Sequence, residues 1–383
     1  MLSLFSDRTQ AAASTELVGA QRFRGRRVIA MWCMLGLAVA TPALSMANAS
    51  SWQLYGRFEA DVSSEVEPIE ATLSKWGREF QAGERQWALA RAEVGARYQG
   101  WLEVSGFRRG LADIRINREA ADLYGRIMAD KTLAPEQSVP VVLTANSFVG
   151  EGVRLGVRWG FDGLQVTLGL SMYDLDYLLS GALTGEIITD ISGQYSFAAD
   201  IDYAYYKDLI FGREEVRRPK GLGISGDMGF VWQPSQHWRF SIMVEDAFAR
   251  LQWRDVPFTQ TLAPVSLDRR IEDGRLPPVG QWSEGSYSRY RQALEPRYQA
   301  HVTLTEGSWS GLLRSTYQFD ELAVGFGSGY RPSSRSTIKV LYWPAYTSPG
   351  VELSVGQWQL GVMADHYNFS EMQRIKVHVS YGI

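Results

Sequence analysis

Residues 375–383 read IKVHVSYGI. Ile375, Val377, Val379, Tyr381 and Ile383 share one parity, and Lys376, His378, Ser380 and Gly382 share the other. Side chains of a strand alternate between its two faces, so this stretch encodes a strand with one apolar and one polar side. An apolar face at the end of a sequence needs a partner strand and a cover.

Moving outward from that strand, the same alternation recurs in segments of about ten residues, the spacing of barrel strands. Trp52, Leu54, Gly56 and Phe58 open the first segment. Ala88 to Tyr98 sets small and apolar residues against Arg91, Glu93 and Arg97. Trp101–Arg109 follows after a Gln99-Gly100 turn. Val153, Leu155, Val157 and Trp159 face Arg154 and Arg158. Phe161-Asp162-Gly163 then turns the chain into Leu164–Met172. Leu222–Trp232 and Trp238–Val244 form another pair. The last third reads as a meander over 297–305, 309–319, 321–330, 336–343, 351–355, 357–368 and 371–383. Pro344 and Pro349 fall between strands, where a missing N–H does no harm.

Three stretches interrupt the pattern. Residues 110–150 predict a short helix from Asn117, a possible N-cap, to Met128. The rest of that stretch reads as a surface loop, a segment folded inward or a small plug. Residues 174–220 are harder to read: Ile191, Gly193, Tyr195 and Phe197 alternate, Tyr203–Phe211 could be another strand and 213–221 is a charged loop, while 254–296 show little alternation and read as a long loop. Splitting 190–212 into two strands, and taking Gly356-Gln357 as a turn, gives 16 strands. Merging segments, or reading Gly356 as a bulge, gives 14 or 12. The expectation is an all-β, antiparallel, up-and-down transmembrane barrel of about 14–16 strands with long loops at one end.

The terminal strand resembles that of Gram-negative outer-membrane β-barrel proteins. There an aromatic sits third from the end and apolar residues occupy every second position before it; Tyr381 matches, and Ile383 stands where a final Phe is usual. The resemblance implies outer-membrane lipid as surroundings and recognition of Tyr381 and Ile383 by the barrel-assembly machinery. The other end of the chain agrees. Residues 21–27 (QRFRGRR) are basic, Val28–Leu44 is apolar, and Ala47-Asn48-Ala49 is a small-x-small site. These are the parts of a secretory signal over 1–49, leaving 50–383 as a single barrel domain. Pro42 and the small residues after it distinguish the run from a spanning helix. Arg26-Arg27 would also suit a twin-arginine route. A barrel crosses the inner membrane unfolded, which favours the general route.

Composition narrows the chemistry. The 383 residues are 45% hydrophobic and 21% charged, with a net charge of −3, so charge gives no reason to expect nucleic acid. The one cysteine, Cys33, lies in the signal, so the mature chain has no disulfide or thiolate metal site. His237, His301, His366 and His378 are scattered without metal-like spacing, and no cofactor or metal is expected. No nucleophile elbow, zinc motif or phosphate-binding loop is present. Residues 221–229 (GLGISGDMG) are glycine-rich but follow a strand pattern. Asp365 and His366 are adjacent, so on a strand they point apart and form no dyad. No catalytic residue is assigned.

Alternation alone does not say which face points inward. Mid-strand charge on the polar faces, and Trp and Tyr near strand ends, place the apolar face in lipid. The polar face then supplies Arg91, Arg97, Arg109, Arg154, Arg158, Arg239, Arg297, Arg314, Lys339, Arg374 and Lys376. The clear acids on that face are fewer: Glu93, Glu103, Asp227 and Glu245. Fixed charge in a confined channel sets ion preference, so the expected function is passage of small anionic solutes through a basic lumen. The alternatives are a barrel that displays its loops or anchors an envelope or export assembly, and a conduit for hydrophobic molecules. Sequence leaves the oligomeric state open.

Overall fold

The structure is a computed structural model that describes residues 51–74, 77, 79–208, 217–264 and 281–382. The predicted signal segment and Ile383 lie outside the described residues. The strands are β1 (Trp52–Ser64), β2 (Arg85–Tyr98), β3 (Leu102–Ile116), β4 (Ser138–Phe161), β5 (Leu164–Thr189) and β6 (Tyr195–Tyr205). Next come β7 (Lys220–Trp232), β8 (Trp238–Arg254), β9 (Val256–Pro264), β10 (Gln281–Tyr287), β11 (Tyr290–Gln292) and β12 (Arg297–Glu306). The meander is β13 (Trp309–Gln318), β14 (Glu321–Ser333), β15 (Ser336–Trp343), β16 (Ser348–Val355), β17 (Trp358–Ala364) and β18 (Arg374–Tyr381). Two helices, α1 (Ile69–Ser74) and α2 (Arg118–Met128), sit in loops.

Fourteen strands close a ring: β1 to β5, then β7, β8, and β12 to β18, every pair antiparallel. The terminal strand closes it, with Tyr381 opposite Gly56 and Arg374 opposite Ser63 on β1. Fourteen is the lower end of the expected range, and the count differs from 16 for one reason. The described residues of 190–212 add no strand to the ring. Their strand β6 pairs with the far half of β5 and with β9, and β9 pairs with β10. These strands extend the wall past the mouth of the ring.

The outer face carries an apolar band. On β4 and β5 the exposed residues include Val153, Leu155, Leu168, Leu170 and Met172, with Val153 60% and Met172 60% exposed. At the end bearing the short turns the band finishes in exposed aromatics: Trp52, Trp101, Trp159, Phe161, Trp232, Trp238, Trp309 and Trp358. Several pair across strands, Trp52 with Tyr98 at 4.9 Å and Trp309 with Tyr330 at 4.7 Å. At the other end the outward charges Arg108, Glu151 and Asp176 stop it, joined at 3.2 and 3.0 Å. Ten residues of β4 separate Phe161 from Glu151, about 33 Å of strand at about 3.3 Å per residue. A tilt of about 40° makes that about 25 Å of height, the thickness of an outer-membrane band.

Above the band the polarity inverts, because the wall there has water outside and protein inside. Val66, Phe80, Ile116, Ala121, Leu123, Leu183, Ile187 and Ile201 form one buried cluster that seats α2 against the extended wall. This corrects the expected loop over 110–150: only the helix and its flanks leave the sheet, and β3 and β4 run on through 110–116 and 138–150. Asn117 precedes the helix without capping it. Its Nδ2 donates to Pro140 O and its Oδ1 accepts from Val142 N, both at 2.8 Å, tying the helix start to β4. Within 254–296, expected to be loop, the described residues form β9, β10 and β11.

Candidate functional site: the barrel lumen

On β2 the inward positions read Trp87, Leu89, Arg91, Glu93, Gly95 and Arg97, apolar at the mouth and charged below. Neighbouring strands repeat this order, so the lumen has a charged body under an apolar mouth. On the β2 to β8 side the charges fill the space. Arg97 pairs with Glu103 at 2.8 Å, and Arg158 reaches the same carboxylate at 2.8 Å. Arg154 lies 3.0 Å from Asp227 and 3.5 Å from Glu103. Arg91 pairs with Glu93 at 2.9 Å and approaches Glu245 at 3.8 Å. Arg109 and Asp246 meet at 2.6 Å, both buried. Gly169 leaves room for this network: a Cβ there would stand 2.3 Å from the Arg154 guanidinium.

Arg297 crosses the lumen. It projects from β12, seven strands round the ring from β1, yet its Nη2 lies 2.9 Å from Glu59 and 3.4 Å from Asp61 on β1. Its Nη1 is 3.4 Å from Glu245, and its side chain is 1% exposed. An open circular ring of this size is about 28 Å across between backbones, from a strand spacing of about 4.8 Å and a tilt of about 40°. An extended Arg joined to an extended Glu reaches only a little over half of that, so the cross-section is pinched between β1 and β12. Lys376 at 3.0 Å from Glu59, and Arg374 at 3.0 Å from Asp61, complete the partition.

Beyond the partition a cavity of about 490 Å³ runs along β12 to β18. Its polar lining includes Arg57, Glu59, Arg239, Gln299, His301, Arg314, Lys339, Glu352, Lys376 and His378. Arg314 holds Glu352 with two N–H groups, Nη2 at 2.7 Å, and Lys339 lies 3.6 Å from the same carboxylate. Arg239 has no carboxylate partner among the described residues. Gly361 makes room for the His378 ring, which a Cβ would meet at 2.0 Å.

Among the described residues, contacts bridge the mouth from wall to wall. The two-residue turn Phe319-Asp320, with φ of 57° and 63°, leans over the lumen from between β13 and β14. The Phe319 ring packs on Trp87 of β2 at 5.5 Å, and Arg85 donates to the Phe319 carbonyl. Arg115 on β3 reaches Asp320 at 3.2 Å and Glu295 at 2.9 Å. Beneath lies a second buried cluster, with Leu89, Phe107, Leu111, Phe148, Leu251, Trp253 and Leu294 among its members. The β1–β2 loop joins the cover, with Ile69 N donating to Met372 O at 2.8 Å. Inside that loop burial pushes the Glu67 carboxyl up to about 7, against the Gly77 N–H at 2.9 Å and the Thr72 hydroxyl, which favour its charge.

Every basic residue assigned to the polar face is therefore either in the ion-pair network or on the cavity wall. Sequence reasoning missed Arg57, Glu59, Asp61, Asp246 and Glu352. Cations outnumber acids in the lumen, but by less than expected. Tyr381 sits opposite Trp358, rings 5.0 Å apart, in the lower aromatic band. His366 lies at the rim, 3.2 Å from Glu371, and the Asp365 carboxylate takes the N–H groups of Gln373 and Arg374 instead.

A closed antiparallel ring, an apolar exterior band edged by aromatics and a polar interior decide the class. The chain has the architecture of an outer-membrane β-barrel. No family profile and no curated protein matches the chain. Among solved structures it is similar to the Ralstonia pickettii toluene transporter TbuX, with 9% identity over 86% of this chain and 88% of that one, TM-score 0.31. The Pseudomonas putida toluene transporter TodX gives 11% identity over 90% and 92%, TM-score 0.33. The CymD monoaromatic hydrocarbon channel gives 9% over 86% and 87%, TM-score 0.31. At that level of likeness, what this barrel does has to be read from its own residues.

Proposed function

We propose that the chain is an outer-membrane channel for small anionic solutes, held shut at its long-loop mouth in the conformation described. The observation that carries the reading is the cavity along β12 to β18, lined by Arg57, Arg239, Arg314, Lys339 and Lys376 against Glu59 and Glu352, with Arg57 also paired to Glu93 at 2.8 Å and Lys376 to Asp61 at 3.4 Å from outside the lining. Fixed positive charge in a narrow space with low-dielectric walls concentrates anions. Short turns and both ends of the described chain lie at the aromatic end, which supports reading that end as the periplasmic one. The route would run from the mouth, past the Phe319 turn, along the cavity.

Planar-bilayer recording of folded protein tests this. In a salt gradient the reversal potential should show anion preference, weakened by Arg239→Gln with Lys339→Gln. Cation preference, or no current under any condition that loosens the mouth, would refute the channel reading.

A second reading has its own support. Ion pairs bridge the lumen at mid-height through Arg297 and at the mouth through Arg115. A barrel so braced suits a non-conducting scaffold that displays the wall extension and α2. Persistent silence in the bilayer with intact binding of a cell-surface partner favours it.

A further inference from the structure

The outer surface bears a cluster of positive charge at the upper edge of the apolar band, on β7, β8 and β11. Lys220, Arg250, Arg254 and Arg291 are exposed there. They alternate with Leu251 and Trp253, which are fully buried on the inner side, so they point outward. Register gathers them: Lys220 stands opposite Arg254, and Arg291 opposite Gln252, which lies between Arg250 and Arg254 on the same face. Directly opposed residues have Cβ atoms about 4.5–5.5 Å apart, and like charges there repel. With its amide oriented so that the oxygen faces Arg250, Gln252 accepts from Nε and Nη2 at 2.8 Å.

Nearby acids do not neutralise the cluster. Asp255 pairs with Arg217 at 3.4 Å, and Glu151 and Asp176 pair with Arg108. Asp174 stands opposite Leu222 on β7, and Asp176, two residues on along the same face, continues toward the level of Lys220. No described carboxylate forms an ion pair with any of the four cations. Height is the second observation. Leu222, Ile224 and Phe248 are the exposed apolar residues at the cluster: Ile224 stands opposite Arg250 and Leu222 opposite Gln252, while Lys220 follows Leu222, and Arg250 follows Phe248, one step of the same face further up. The cations interleave with the last exposed apolar residues, at the border of the apolar band.

We propose that this patch binds phosphate groups carried on the lipid of the leaflet at the long-loop end. The inference rests on the outer-membrane reading above. A lipid whose chains lie on Leu222, Ile224 and Phe248 brings its phosphates level with the guanidinium forks, which grip phosphate with paired N–H groups. Each cation near an anionic bilayer surface contributes roughly fivefold in affinity. Bound phosphate also relieves the Lys220–Arg254 repulsion.

The test folds the full chain into phosphatidylcholine vesicles doped with lipid A bearing both phosphates, or with lipid A stripped of them. The lipid retained after detergent extraction and purification is weighed by mass spectrometry. The bisphosphorylated form should be retained, the stripped form not, and the variant Lys220→Gln/Arg250→Gln/Arg254→Gln/Arg291→Gln should retain at least tenfold less. Equal retention of the two lipids, or by the variant, overturns the proposal. Displacement by millimolar inorganic phosphate overturns the assignment to lipid. Heat-dependent gel mobility in the same samples separates the two levels: a chain that never folds into vesicles refutes the outer-membrane reading itself.

Discussion

Arg297 is the side chain on which the lumen's shape turns. Three carboxylates on two facing walls converge on one buried guanidinium. Removing one partner of a buried charge cluster leaves the others uncompensated, which costs about 3–5 kcal/mol. Arg374 and Lys376 still serve Asp61 and Glu59 after the loss, so Arg297→Ala should fall near the lower end, about 3 kcal/mol. Urea unfolding in lipid vesicles measures it. Arg108→Ala, in an exposed triad on the outer face, should cost about 1 kcal/mol or less by the same assay. Equal costs for the two would mean that Arg297 does not brace the walls.

Among the elements, the Phe319-Asp320 turn offers the cleanest separation of fold from gating. Both residues are left-handed, as a type I′ turn requires, and Asn-Gly suits that turn better than Phe-Asp. Phe319→Asn/Asp320→Gly should therefore keep or raise the stability of the β13–β14 hairpin while removing the ring on Trp87 and the partner of Arg115. Open probability in bilayer recordings should rise several-fold with no fall in the urea midpoint; unchanged gating would exonerate the turn. The strands themselves were legible wherever one face meets lipid, as in Leu164–Met172 or the meander. They were illegible past the mouth, since Trp87 and Leu89 point inward above Arg91, reversing the rule that located the faces. A register shift where Val149 and Gly150 oppose Tyr177 and Leu175 further blurs the parity of β5. Glu59 and Asp61 were readable in principle, as they continue the polar face of the first strand beyond Phe58. Asp246, at a φ of 55° in an irregular part of β8, was not. That β1, on the far side of the ring, meets β8 and β12 at Arg297 is a fact of closure, to which no local pattern points.

For the whole molecule, the cover over the mouth should respond to pH through Glu67. Its carboxyl is raised from 4.5 to about 7 in the folded loop, so between those values the folded state holds a proton that the unfolded one has lost. Stability of the loop is then fullest below about pH 4.5, declines as pH rises, and reaches its lower level above about 7. Amide-exchange protection factors over residues 65–74 should fall across that window, and Glu67→Gln should flatten the dependence; a flat wild-type profile would rule the effect out. The seam that joins first strand to last has a consequence for biogenesis. Hydrophobic alternation fixes only the parity of that closure: a slip of two residues would keep every apolar side chain in lipid. The charges reject one of the two neighbouring alignments: with Lys376 slid opposite Ser63, Asp61 would face His378 and Glu59 would face Ser380 instead of the Arg374 and Lys376 that now reach them. The seam thus has a partial proofreading code, in which greasy residues choose the side and charges forbid one notch. A barrel zipped one notch off in that direction would be stranded with buried carboxylates and would reopen before it matured.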